Sequence, residues 1–174
     1  RHYFGRTNVM IQSNTMYGVK TMVYAGGCKL SGFVQCRLET LMPSIQDVKN
    51  AIEPLNQTEK NSMVILLSHI GGIINPDIEA IAELCQKENI ILLEDCAHSF
   101  GATLKGKHSG LFGDAGVYSF YATKAIYAGE GGVVITNNDE LGELMKGFTI
   151  YDRFAQKMPI GINIRPSELQ ALLI

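Results

Sequence analysis

Two acidic residues, Glu94 and Asp95, end the apolar run Ile90-Ile91-Leu92-Leu93. Ligands of open α/β sheets bind beyond the carboxyl ends of the strands, so acids there are either functional carboxylates or the polar start of a loop. A second apolar stretch, Ala115 to Phe120, brings Ser119 and then Lys124 near the same sheet edge. Lys124 is flanked by Ala122, Thr123, Ala125 and Ile126, and a lysine in such company is poorly solvated. Desolvation favours the neutral amine, the form that attacks a carbonyl to make a Schiff base. Gly129, Gly131 and Gly132 follow; residues without a Cβ there serve either a phosphate or a turn between strands.

Other chemistry-bearing residues read differently. Gly101 to His108 approaches a phosphate-binding loop, but His108 stands where Ser or Thr would hold Mg²⁺. His69 ends the Met63–Leu67 run; it either faces a cleft at that edge or is a loop histidine bonded to backbone. Glu94 and Asp114 read as loop-fixing acids, and Cys96 as packing. Cys28, Cys36, Cys85 and Cys96 form no C-x-x-C pair and each lies among apolar neighbours. They read as reduced packing residues of a cytoplasmic protein. No His/Cys group has structural-zinc spacing, so no metal is expected.

The elements that must position these residues alternate. Met63–Leu67 and Ile90–Leu93 read as strands covered on both faces. Between them Asn75-Pro76 predicts a helix start, with Asp77 and Glu79 in the first turn. Ile78, Ile81, Leu84 and Cys85 keep helical spacing to about Lys87. Strand, helix, strand with short links is a βαβ unit with parallel strands. Val9–Ile11, Cys28–Cys36, Ala115–Phe120 and Gly132–Thr136 read as further strands. Helices are expected around Met16, Val19, Met22 and Val23, over Ser44–Ile52 with Ser44 as cap, from Asp139, and over Pro166–Ile174. A single three-layer α/β/α domain with a mainly parallel central sheet is the expected fold.

Composition narrows the classes. The chain has 174 residues, 46% apolar and 18% charged, with a formal net charge of −2. It is long enough for a substantial core, and nothing in its charge suggests nucleic-acid binding. The longest apolar run, Met63 to Ile74, is interrupted by Ser68, His69 and two glycines, and no membrane segment is read.

Glu94-Asp95-Cys96-Ala97-His98-Ser99-Phe100-Gly101-Ala102, Gly113-Asp114-Ala115-Gly116, Ser119-Phe120, Thr123-Lys124 and Gly129-Glu130-Gly131-Gly132 occur in that order. With Tyr24-Ala25-Gly26-Gly27 and Gly161 to Ala171, they resemble the DegT/DnrJ/EryC1/StrS family. These are fold-type-I enzymes dependent on pyridoxal 5'-phosphate (PLP), mostly acting on nucleotide-linked keto sugars. The resemblance implies that Lys124 is the Schiff-base lysine and that Asp95 pairs with the cofactor's ring nitrogen. It implies further that Ser119 binds the phosphate and that His98 lies near the ring. Asn163, or Arg165 in its stead, would reach the partner subunit's phosphate in a homodimer. Met16 stands where relatives carry an aromatic residue over the cofactor, and offers a soft side chain without a π-face.

Relatives are about twice this length. The resemblance therefore implies that residues 1–174 are the central part of the PLP-binding large domain, without the N-terminal segment and the small C-terminal domain. The expected reaction moves an amino group, with glutamate as donor, to a nucleotide-linked keto sugar. Dehydratases of the family replace the lysine by histidine, so Lys124 favours transamination; a non-catalytic PLP-fold fragment is the further alternative.

Overall fold

The computed structural model describes residues 5–14, 27–149 and 165–174. Its main sheet contains β1 (Asn8–Gln12), β2 (Lys29–Val34), β3 (Met63–Ser68) and β4 (Ile91–Asp95). After a small hairpin of β5 (Thr103–Leu104) and β6 (Lys107–His108), β7 (Ala115–Ser119) and β8 (Gly132–Ile135) complete it. The order is β2-β1-β3-β4-β7-β8. All neighbouring pairs are parallel except β7 with β8, which is antiparallel. From β2 the chain crosses over β1 to begin β3 on its other side, so the winding reverses between β1 and β3. Such reversal points are where doubly wound sheets open a crevice for ligands.

The helices among the described residues are α1 (Ile45–Ile52), α2 (Gln57–Lys60), α3 (Ile78–Lys87), α4 (Asp139–Thr149) and α5 (Glu168–Leu173). Three starts carry reciprocal caps: Ser44 with Asp47, Asn56 with Glu59, and Ser167 with Gln170. The Ser44 hydroxyl and backbone N–H both donate to the Asp47 carboxylate and hold it below its usual range. No helix of the described residues is long and apolar enough to cross a membrane.

Several boundaries differ from the sequence reading. α3 begins at Ile78, not at Pro76. Asn75 Oδ1 accepts the Asp77 N–H at 2.9 Å, closing a turn around Pro76 ahead of the helix. Asp77 does not sit in the first helical turn; its carboxylate accepts the Ile45 N–H at 2.8 Å and ties the start of α1 to the approach of α3. α5 likewise begins after the Ser167 cap, two residues beyond Pro166. α2, β5 and β6 span only four and two residues each, too short to leave a periodicity. The stretch that approaches a phosphate loop is the β5–β6 hairpin, turning through Lys105 and Gly106 with φ of 51° and 81°. Positive φ at both central residues suits a tight hairpin, and Lys105 is ion-paired to Glu79. Cys85 and Cys96 are buried as expected, but Cys28 and Cys36 are only partly so. The helix expected around Met16 lies outside the described residues.

Alternation along the strands gives the sheet two different faces. Met10, Val34, Met63, Ile65, Leu67 and Leu92 pack with Val48, Ile52, Ile78, Ile81 and Cys85 of α1 and α3. On the other face Val9, Ile11, Val64 and Leu66 pack with Ile91 and Leu93.

Candidate functional site

Adjacent strand residues point to opposite faces, so Glu94 and Asp95 cannot share a role. Glu94 has the parity of Leu92 and enters the core shared with α1 and α3; Asp95 has the parity of Leu93. Glu94 is fully buried. Its Oε2 accepts the Gly110 N–H at 2.8 Å and lies 2.8 Å from His69 Nε2, while Oε1 accepts the Gly113 N–H at 2.6 Å. The Asn75 N–H donates to His69 Nδ1 at 3.1 Å, which puts the ring proton on Nε2, donating to Glu94. Both side chains thereby fix the loop after β6 and the turn before α3. His69 is 1% exposed and bonded inside the fold, not turned to a cleft. Asp114 also fixes a loop, its Oδ2 accepting the Leu92 N–H at 2.9 Å.

Cys96 Sγ joins His69 and Glu94 in a group whose ligand atoms lie within 4.8 Å of one another. His69 and Glu94 already use those atoms on each other and on backbone, and burial pushes the Cys96 thiol up to about 12, with the nearby Glu94 adding to it. This is a packed polar core. Beside it, Ser109 and Ser99 share a 3.0 Å hydrogen bond, and the Tyr118 hydroxyl donates to the Ser109 carbonyl.

Asp95 occupies the other face at the carboxyl edge. It is half-buried. Oδ2 accepts the Ser68 hydroxyl at 3.2 Å, and Oδ1 accepts the Ala97 N–H at 3.0 Å. Ser68 pairs in register with Asp95 on the neighbouring strand, and Asp95 with Val117. Paired residues of parallel strands share a face, and Ser119 lies two positions beyond Val117. Ser68, Asp95 and Ser119 therefore sit at the carboxyl ends of three adjacent strands, on one face.

Lys124 stands in the connection from β7 to β8. Backbone bonds from Phe120 N to Gly131 O, Ala122 N to Gly129 O and Ala128 N to Phe120 O close that connection. Gly129 and Gly131, with φ of 81° and 136°, thus serve the turn. Lys124 N donates to Tyr121 O at 2.9 Å, and the residue is partly buried. Among the described residues its amine makes no ion pair. Ser119 Oγ accepts the Tyr121 N–H at 3.3 Å. His98 is exposed in the loop after β4, and Arg165 is exposed too. Met16 and Asn163 lie outside the described residues.

Two contributors escape the sequence reading, Ser68 and Gln12. Their signal is a polar residue closing an otherwise apolar strand. Gln12 is fully buried; its Oε1 accepts the Ser68 N–H at 3.0 Å and its Nε2 donates to Leu41 O at 3.2 Å.

A mainly parallel sheet with polar groups gathered at its carboxyl edge is a doubly wound α/β arrangement, and its likeness to solved aminotransferases makes it the fold-type-I aminotransferase fold. The solved structure of PseC from Helicobacter pylori, described as an aminotransferase involved in the biosynthesis of pseudoaminic acid, superposes with a TM-score of 0.79 at 27% identity. It covers 97% of this chain and 45% of that one. The sequence profile of the DegT/DnrJ/EryC1/StrS aminotransferase family matches residues 4–174, and the chain belongs to that family. It is 36% identical over 121 residues to the GDP-perosamine synthase of Vibrio cholerae, covering 70% of this chain and 30% of that protein. Against the GDP-perosamine synthase of Escherichia coli O157:H7 the identity is 37% over 136 residues, covering 78% and 32%. The chain thus spans about a third of the length of these curated relatives.

Proposed function

We propose that this chain is the central part of the large domain of a PLP-dependent aminotransferase that moves an amino group to a nucleotide-linked keto sugar. Glutamate is the proposed donor. The observation that carries the reading is the convergence of Ser68, Asp95 and Ser119 on one face of the carboxyl edge, with Lys124 in the loop that follows Ser119.

The groups present fit PLP. Each oxygen of a carboxylate has room for two hydrogen bonds, and among the described residues each oxygen of Asp95 accepts one, from Ser68 or Ala97. A lone pair therefore remains for a ring N–H. Ser119 Oγ accepts from the Tyr121 N–H, which leaves its hydrogen for a phosphate oxygen. Bound there, PLP supplies an aldehyde that takes up the amino group and a protonated ring that withdraws electrons.

The chain's own groups do the rest. Asp95 keeps the proton on the ring nitrogen by facing it with a negative charge. Lys124 Nζ would hold the cofactor at its aldehyde and, as a free amine, would accept and return a proton. Ser119 and Asn163 are proposed phosphate ligands, Asn163 acting across a homodimer interface. His98 and Met16 are proposed to flank the ring. A lysine at position 124, where dehydratases of the family carry histidine, favours amino transfer over dehydration. The four cysteines form no disulfide, which supports a reducing compartment and hence the cytoplasm.

The test is a visible absorption spectrum of the full-length protein with added PLP, before and after borohydride, followed by peptide mapping. The expected result is a band that borohydride bleaches and a pyridoxyl label on Lys124. A label on another residue, or none, would sink the assignment. Amino transfer from glutamate to nucleotide-linked keto sugars then tests the substrate class.

A further inference from the structure

The polar contacts at the carboxyl edge run across three strands. Leu41 O accepts from Gln12 Nε2, Gln12 Oε1 accepts from the Ser68 N–H, and the Ser68 hydroxyl donates to Asp95 Oδ2. Gln12 ends β1, Ser68 ends β3 and Asp95 ends β4. The relay therefore spans the point where the winding of the sheet reverses.

Satisfying a buried charge does not require this arrangement. Glu94, one residue earlier, is such a charge, and three donors inside the core meet it. Asp95 is only half-buried. What the Ser68 contact adds is direction. With the Ala97 N–H on Oδ1 and the Ser68 hydroxyl on Oδ2, rotation of the carboxylate about its terminal bond breaks one bond or both. Ser68 is itself 4% exposed and Gln12 is fully buried, so the donor is anchored to a part of the sheet that does not move freely.

We infer that Ser68, backed by Gln12, is a positioning residue that sets the orientation of the Asp95 carboxylate toward its ligand. The inference rests on the proposed function, in which that ligand is the protonated ring nitrogen of PLP. A carboxylate held in one plane loses no rotational freedom when the ring arrives, and pre-organised groups bind more tightly for that reason. Removing the hydroxyl leaves Asp95 charged and present but free to turn.

The experiment compares full-length wild-type protein with S68A and S68T. PLP binding is titrated by visible absorbance, and the cofactor-free forms are melted in parallel. Loss of one hydrogen bond to a charged acceptor is expected to weaken PLP binding in S68A about tenfold. S68T, which keeps the hydroxyl, recovers to within about threefold of wild type. The cofactor-free melting temperatures of all three agree within about 2 °C, because Asp95 can take water in place of Ser68.

Undiminished PLP binding in S68A would overturn the inference alone. So would S68T binding as weakly as S68A, or a loss of affinity matched by an equal loss of cofactor-free stability, which would mark Ser68 as merely structural. Wild-type protein that takes up no PLP would overturn the proposed function and this inference with it.

Discussion

Replacing Glu94 by glutamine changes one oxygen to an amide nitrogen and almost nothing in volume, yet the structure gives it a large cost. Three N–H groups converge on the carboxylate, those of Gly110 and His69 on Oε2 and that of Gly113 on Oε1. A glutamine oxygen in the Oε2 place keeps Gly110 and His69 but turns its NH₂ against the Gly113 N–H, from a separation of 2.6 Å. The reverse orientation keeps Gly113 and sets NH₂ against two donors. His69 cannot relieve this by moving its proton to Nδ1, since Nδ1 already accepts from the Asn75 N–H. At least one buried donor is left unpaired, at about 1–3 kcal/mol, and the surviving bonds lose their charge assistance. The total is about 2–4 kcal/mol, out of a domain stability of about 5–15 kcal/mol. Glu94→Ala removes every acceptor and is expected to cost more. Hydrogen exchange by mass spectrometry reads the effect locally and does not depend on two-state unfolding. A loss of about 2 kcal/mol corresponds to roughly 30-fold faster exchange at Gly110 or Gly113 in E94Q. Unchanged exchange in the peptide spanning 109–114, with an unchanged melting temperature, would refute the donor count and the histidine tautomer drawn from it.

Two further outcomes are expected. A Cβ on Gly116 would lie 2.2 Å from Gly110 Cα, whereas one on Gly106 would meet nothing within 4 Å. Gly116→Ala should therefore cost about 3 kcal/mol or more through backbone displacement, and Gly106→Ala about 1–2 kcal/mol for its positive φ alone; comparable melting temperatures for the two variants would contradict this. Burial pushes the Cys85 and Cys96 thiols up to about 12, while Cys36 is partly exposed. Iodoacetamide at pH 8 should thus label Cys36 in the native protein and spare Cys85 and Cys96 until it is denatured; native labelling of Cys96 would show that the core beside Asp95 opens.

Long apolar runs were legible in the sequence because burial on both faces leaves no other composition. Met63–Leu67 and Ile90–Leu93 became β3 and β4 within a residue at each end, apart from Glu94 and Asp95 joining the strand. The Ser44 cap was legible from its residue type ahead of a helical stretch, and the structure adds Asp47 as its reciprocal partner. The start of α3 was not. Asn75-Pro76 carries the signature of a helix start, but Asp77 is drawn to the Ile45 N–H, a contact that exists only once α1 has docked. The family motifs named Asp95, Ser119 and Lys124, and β4 and β7 do carry Asp95 and Ser119 to one edge. Ser68 and Gln12 stand out in the sequence only as polar residues closing apolar strands; what they contact depends on strand register, which sequence spacing does not encode across β1, β3 and β4.

The division between Glu94 and Asp95 follows from strand geometry alone. Side chains alternate with a period of two, so two acids in succession at a strand's end must serve opposite faces. The helix-covered face demands a charge fully met by donors, and the loop after β6 supplies the Gly110 and Gly113 N–H groups for it. Gly113 is needed there because a Cβ would lie 2.4 Å from Leu92 O, so the loop could not come close enough to donate. On the opposite face the Asp95 carboxylate meets, among the described residues, the Ser68 hydroxyl and the Ala97 N–H. A one-residue slip of β4 would exchange the two, leaving Asp95 buried among donors spaced for a longer side chain and Glu94 on the opposite face. The Glu94–loop contacts therefore do more than stabilise the core. They favour the register that places Asp95 at the carboxyl edge, from a residue on the opposite face.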